Sequence, residues 1–408
     1  MSKILGIISE YNPFHNGHLY HIEKSKEKID PDYTVCVMSG NFVQRGDTSL
    51  IDKWSKAKIA LKCGVDLVIE LPTIYSISSA ENFAEGAIKI LSSLGNDVVL
   101  SFGSESGDLE LLDSLADILY EEPPEYISLL NHELERGISF PKARENALLM
   151  YINDIRKYAN VLSGPNNILA IEYLKAIKNL RSDIEPITIK RKAVDYNSIK
   201  AVDEFASATA IRAFIQEEQD IKPYVPKESF EIIEDKMKYG QIVPSLSVFE
   251  KEILYCLRKM TTEELENIAD VTEGLENRIK DASNSGNTLE QLIDMIKSKR
   301  YTRTRIQRIL LYALLRITKK DIEDSYKVKP YIRVLGATHK GKIILSQITT
   351  RNKNVPVITS IKPFMDNNKN KVLKNMMEKD ILASDIYTLG YEYQSKANLD
   401  YTEKFIVI

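Results

Sequence analysis

Four segments, residues 4–9, 34–38, 65–71 and 97–102, are short and almost wholly apolar. That pattern belongs to strands buried on both faces. Between them the apolar positions shift to helical spacing, over residues 19–28, 51–62 and 78–93. Short apolar strands alternating with helices predict a parallel, doubly wound sheet. In such a sheet the loops after the strands line the ligand site, here residues 10–17, 39–47, 72–79 and 103–108.

Residues 108–184 read as mainly helical, with a helix opening at Asn166-Asn167 and running to about residue 180. A fifth strand is expected over 186–191, then a polar stretch over 192–200. Ser207 is a good N-cap for the helix that follows. Pro223, Pro226 and Pro244 punctuate an expected linker, and residues 245–320 carry helical stripes such as Phe249, Ile253, Leu254 and Leu257. Strands are expected again at 331–336 and 355–360, with helices at 338–347 and 370–382. The expected organisation is a catalytic domain over 1–220, a helical region over 221–330 and a small mixed α/β region over 331–408.

The handover from first strand to first helix holds the candidate chemistry. It reads Glu10-Tyr11-Asn12-Pro13-Phe14-His15-Asn16-Gly17-His18, and three of the five histidines (His15, His18, His21) fall within seven residues. Backbone N–H groups and the positive end of a helix dipole converge at such a junction, which favours phosphate. Pro13 stiffens the turn, and Asn16-Gly17 lets the backbone pass close to a ligand. Imidazoles there donate to phosphate oxygens and stabilise charge on a leaving group. The other readings are exposed loop histidines, or a metal site using all three rings with a fourth ligand that the sequence does not mark.

Composition adds boundaries. An apolar fraction of 43% and a charged fraction of 28% are those of a globular protein. No apolar run approaches a membrane span and no signal-peptide pattern opens the chain, so a cytoplasmic protein without a membrane partner is expected. Cys36, Cys63 and Cys256 are scattered and read as reduced core thiols. The net charge of −3 hides a basic segment, residues 297–308, with six cations and no acid. Such a patch suggests a polyanionic partner, or else a solvated helix face.

His15-Asn16-Gly17-His18 resembles the HxGH signature of the nucleotidyltransferase superfamily, and Ser207-Ala208-Thr209-Ala210-Ile211-Arg212 resembles its second motif, with Ala208 departing from the usual serine. The longer match is narrower. Tyr11 to His18, Ser39-Gly40-Asn41-Phe42-Val43-Gln44-Arg45-Gly46, Pro165-Asn166-Asn167-Ile168-Leu169 and Lys299-Arg300-Tyr301-Thr302-Arg303-Thr304-Arg305 together resemble the tRNA(Met) cytidine acetate ligase family over essentially the whole chain. The resemblance implies an α/β fold, with a Rossmann-like HxGH nucleotidyltransferase domain and a helical and mixed α/β C-terminal region. It also implies that acetate and ATP form acetyl-adenylate and pyrophosphate. The acetyl group then passes to N4 of the wobble cytidine of elongator tRNA(Met).

Residue roles follow as expectations. His15, His18 and Arg45 are the catalytic candidates, with His18 nearest the leaving group and Arg45 on the acetate carboxylate. Arg45 also reads as an ordinary surface or salt-bridged arginine. The ATP cradle is expected from Ile7, Ile8, Ser9, Glu10, Tyr11, Asn12, Pro13, Phe14, His15, Asn16, Gly17, His18, Leu19, Tyr20 and His21. Gly103, Asn166, Arg191, Lys192, Ser207, Thr209 and Arg212 complete it, although Ser207 and Thr209 also read as plain helix caps. Lys299, Arg300, Arg303, Arg305 and Arg308 are expected to contact tRNA, with Tyr301 as a stacking surface. Mg²⁺ is expected with ATP, and no ligand set is marked for it; Glu10, Asp47 and Glu105 are the available acids. Two other readings share the first domain. One is an adenylyl- or cytidylyltransferase of small phosphate esters, and the other is a catalytically silent RNA-binding protein.

Overall fold

The computed structural model describes residues 2–408 except Asn96, residues 193–203, Glu273 and residues 394–395, and for Ile155 and Arg156 the backbone alone. The expected polar stretch beyond Lys192 therefore lies outside the described residues. Strands β1 (Lys3–Ser9), β2 (Tyr33–Ser39), β3 (Phe42–Val43), β4 (Asp47–Thr48), β5 (Leu67–Leu71), β6 (Asp97–Ser104) and β7 (Glu185–Lys190) belong to the first half. Strands β8 (Ile332–Ala337), β9 (Val357–Ile358) and β10 (Ile406–Val407) follow much later.

One sheet runs in the order β10-β8-β5-β2-β1-β6-β7, with β9 also on β8. Its centre, β5-β2-β1-β6-β7, is parallel as expected. The apolar runs reflect burial on both faces. Ile4, Val35, Val37, Leu67 and Ile69 face one core, while Leu5, Ile7, Cys36, Met38 and Val68 face the other.

The structure differs from the expected division in two places. Residues 331–408 are not set apart, because β8 pairs antiparallel with β5 and extends the first sheet. The join is sealed by buried charges. Lys53 Nζ lies 2.9 Å from Glu70 and 2.7 Å from Asp400, and Arg333 lies 2.7 Å from Glu70 while also pairing with Asp400. Two cations thus match two carboxylates, each at most 5% exposed, which is the condition under which buried charge is tolerated. The expected linker holds a helix, Lys227–Lys238, seated behind Pro226. Its Ser229 hydroxyl donates to the Phe14 carbonyl at 2.8 Å.

The helical stripe of the basic segment forms as expected. In helix Arg303–Leu314, Ile306, Ile309, Leu310, Ala313 and Leu314 are all buried. The three cysteines are free thiols. Among the described residues no helix is long and apolar enough to cross a membrane.

Candidate active site

The strand order reverses between β1 and β6, so the chain leaves their carboxyl ends toward opposite faces. A crevice opens at such a point, and here it widens into a cavity of about 570 Å³. The β1 loop is pinned at its rim. The Asn12 amide donates to the Thr48 carbonyl at 2.8 Å, and its oxygen accepts from the Leu50 N–H at 2.7 Å. Arg212 Nη1 donates to the Asn12 carbonyl at 2.9 Å, tying the second motif to the first.

The two signature histidines hold each other. His15 is the N-cap of helix Asn16–Ile29: its Nδ1 accepts from the Gly17 N–H at 3.0 Å. His18 reaches back, its Nδ1 accepting from the His15 N–H at 3.2 Å. The rings stack with centroids 3.7 Å apart and planes 26° apart. Gly17 is required, because a Cβ there would stand 2.8 Å from His15 Cε1. With both Nδ1 atoms accepting, each neutral ring carries its proton on Nε2 and offers that N–H as a donor.

Electrostatics keep the rings neutral. Burial, and then the Arg191 guanidinium, push His15 down to about 3 and His21 down to about 4. Burial, His15 and Arg191, in that order, hold His18 well below the usual histidine range. His21 Nε2 lies 3.0 Å from the Ser101 hydroxyl, so that ring is anchored to β6.

The remaining expected ATP residues fall into two groups. Ile7, Ile8, Ser9, Glu10, Tyr11, Asn12, His15, Gly17, His18, Tyr20, His21, Gly103, Asn166, Arg191, Lys192, Ser207 and Arg212 all line the cavity. Pro13, Phe14, Asn16, Leu19 and Thr209 do not. Phe14 is packed in the core with Tyr11, and the Asn16 amide is spent on the carbonyls of Glu204 and Pro223. Gly103 lets Arg191 cross β6, since a Cβ would approach Arg191 Cγ to 3.3 Å. Lys192 sits between two rings, 4.6 Å from Tyr20 and 4.7 Å from Phe205. Ser207 caps its helix through the Ala210 N–H at 3.0 Å while also facing the cavity.

The acids named as possible metal ligands are each occupied by main-chain donors. Glu105 accepts from the Asn166 and Asn167 N–H groups and from the Asn166 amide, so it caps helix Pro165–Asn179. Glu10 accepts from the Gln44 N–H at 2.7 Å, and Asp47 from the N–H groups of Thr48 and Leu246. Among the described residues no group of three or more His, Cys, Asp or Glu is placed to hold a metal ion.

Arg45 and Gln44 line the far side of the cavity, in the turn between β3 and β4. The end of the basic helix meets them: Thr302, Thr304 and Arg308 face the same cavity. The other residues of the basic segment have the following surroundings. Arg303 pairs with Glu290, its Nη1 at 2.8 Å. Arg305 donates to the Asp270 carbonyl at 2.8 Å and to Thr272 at 3.0 Å. Tyr301 is buried, with the Arg305 guanidinium 5.2 Å above its ring, so it is not an exposed stacking surface. Lys299 and Arg300 are exposed.

Several residues that shape or line the site carry no local signal in the sequence. Lys56 is buried in helix Lys53–Lys62 and donates to the carbonyls of Glu10, Ser39 and Gly40 at 2.8–2.9 Å. It thus gathers the ends of β1 and β2, and burial pushes its ammonium down to about 7. Phe83, Phe102, Arg144, Glu172 and Tyr173 join the cavity from strands and helices far apart in sequence.

The geometry has close parallels. A sequence model of the HIGH Nucleotidyl Transferase family matches residues 2–402. The chain is 48% identical over 407 residues to the tRNA(Met) cytidine acetate ligase of Caldanaerobacter subterraneus subsp. tengcongensis, covering 99% of each chain. It is 42% identical to that of Acetivibrio thermocellus over 416 residues, covering 100% of both. Thermotoga maritima TmcAL superposes with a TM-score of 0.95 in its apo crystal form, at 34% identity, covering 100% of this chain and 99% of that one. With alpha-thio ATP bound, the same protein gives a TM-score of 0.93 at 35% identity, with the same coverage of each chain. The chain belongs to the HIGH nucleotidyl transferase family and, within it, to the tRNA(Met) cytidine acetate ligases.

Proposed function

We propose that this protein is an ATP-dependent ligase that activates acetate as acetyl-adenylate and transfers the acetyl group to N4 of the wobble cytidine of elongator tRNA(Met). The observation that carries the reading is the stacked His15–His18 pair at the β1–β6 crevice. Both rings are neutral and both keep Nε2–H as a donor. The acetate oxygen attacks the α-phosphorus, and the bond to pyrophosphate breaks with its electron pair on the leaving oxygen. Fixed neutral donors aimed at that oxygen stabilise the developing charge without prior reorganisation. Arg191, Lys192 and Arg212 add cationic charge around the triphosphate. Mg²⁺ enters as the ion ATP carries.

The meeting of the basic helix with the cavity supports the second step. Thr302, Thr304 and Arg308 bring that helix to the site where acetyl-adenylate forms. The exposed Lys299 and Arg300, with Arg303, Arg305 and Arg308 behind them, supply positive potential toward the tRNA backbone. The deciding experiment incubates the protein with ATP, Mg²⁺, labelled acetate and total tRNA, followed by nucleoside analysis. Label on N4-acetylcytidine from tRNA(Met) is expected. Pyrophosphate exchange that needs a phosphomonoester instead of acetate would overturn the reading.

A further inference from the structure

We propose that Tyr173, with Phe83 and Phe102 beneath it, forms the carboxylate subsite of the cavity, its phenol O–H donating to an acetate oxygen while the two phenylalanines receive the methyl group. The proposal rests on the acetate-activation reading above and names the residues that would hold the acid.

Helix Pro165–Asn179 shows one stripe to the cavity, with Asn166, Leu169 and Tyr173 at helical spacing. Asn166 is partly exposed near the start of the helix, and Tyr173 lies two turns further along it. Tyr173 is only 3% exposed, and its ring lies 5.9 Å from that of Phe102. Tyr173 lines the cavity, and no hydrogen bond within the protein engages its hydroxyl among the described residues, so that hydroxyl opens into the cavity rather than being sealed in the core. A phenol O–H that faces a cavity and has no protein acceptor is available to a ligand there. Burial, and secondarily the Glu10 carboxylate, hold this phenol well above its ordinary value, so it stays a donor at working pH.

Phe83 is 1% exposed and Phe102 is 5% exposed, and both line the cavity. Within a cavity that Glu10, Arg144 and Glu172 also line, this apolar floor and the neutral phenol suit a small acid with a single methyl group. A nucleobase would need several donors and acceptors there. The sequence pointed to Arg45 for this task. A neutral donor orients the carboxylate without pairing off the negative charge that must attack phosphorus. In the step, the new bond joins the acetate oxygen to the α-phosphorus and the bond to pyrophosphate breaks. The phenol keeps its proton throughout.

Acetate-dependent ATP–pyrophosphate exchange on the full chain tests this. Tyr173→Phe keeps the ring and removes only the hydroxyl. It is expected to raise the acetate KM roughly 10- to 100-fold, the effect of losing a hydrogen bond to a charged group, with ATP affinity by direct titration and the melting temperature unchanged. An unchanged acetate KM overturns the proposal, as does a loss of ATP affinity with the acetate KM intact. Absence of acetate-dependent exchange in the wild-type protein would instead remove the acetate-activation reading, and this inference with it. Phe102→Leu enlarges the floor and is expected to raise the use of propionate relative to acetate; an unchanged ratio removes Phe102 from the subsite.

Discussion

His15 does two jobs, and substitution can separate them. As N-cap it accepts from the Gly17 N–H at 3.0 Å, and as a cavity residue it offers Nε2–H. Alanine removes both functions. Asparagine is among the best N-caps, and its side-chain oxygen can take over the bond from Gly17 while no imidazole remains. The cap is worth about 1 kcal/mol, which in a chain of this size shifts the melting temperature by on the order of 2 °C. A preorganised donor on a leaving oxygen is worth ~3–4 kcal/mol, or roughly 10²- to 10³-fold in rate. His15→Ala is therefore expected to lose both stability and acetate-dependent pyrophosphate exchange. His15→Asn is expected to melt near wild type yet lose the same two to three decades of exchange. The assays are calorimetry and initial exchange rates at saturating ATP. If the two variants melt together, or if His15→Asn keeps its exchange rate, the double assignment is wrong.

Three further outcomes follow from the fold. Gly46 has φ 75°, and a Cβ there would stand 2.5 Å from the Arg308 backbone nitrogen, whereas Gly274 has φ 77° and a Cβ there would meet nothing within 4 Å among the described residues. Both alanine variants carry backbone strain, but Gly46→Ala should cost about 1–3 kcal/mol more by denaturation. Equal losses would mean that the turn and the basic helix do not press together. Lys53→Met leaves Glu70 and Asp400 facing Arg333 alone, so a loss of ~3–5 kcal/mol is expected in urea unfolding; a loss below ~1 kcal/mol would contradict the matched-charge account. His15 is lowered from 6.5 to about 3, so its contribution is complete above pH 6.5 and declines as pH falls toward 3. Between pH 6.5 and 5 that amounts to about 2 kcal/mol. The melting temperature of His15→Asn should then fall less steeply with acid than that of wild type.

The parallel strands and the signature were readable because their signals are local: unbroken apolar runs, Pro13, Gly17 and an S/T-type cap at Ser207. The missing parts depend on distant partners. Strands β3 and β4 are two residues each, too short for periodicity. β8 reads as a strand, but its pairing with β5 crosses more than 260 residues and has no local mark. Arg303 and Arg305 looked outward because helical spacing gives a direction without the neighbour. Glu290, on another helix, and the Asp270 carbonyl, in a turn, then bind them. The same blindness hid Tyr173, whose helix was expected but whose cavity is assembled from strands and helices far apart in sequence.

The seal around Lys53 sets an order of events during synthesis. Its partner Asp400 lies 347 residues downstream. At translation rates of ~5–20 residues per second, the ribosome needs roughly 20–70 s to deliver that carboxylate. For most of that interval, until residues 332–337 are made, the nascent nucleotide fold carries β5 as a bare margin, with Arg333 and β8 still to come. Unpaired strand margins recruit foreign strands. The polypeptide is therefore most exposed to aggregation, and most in need of chaperone cover, late in its own manufacture.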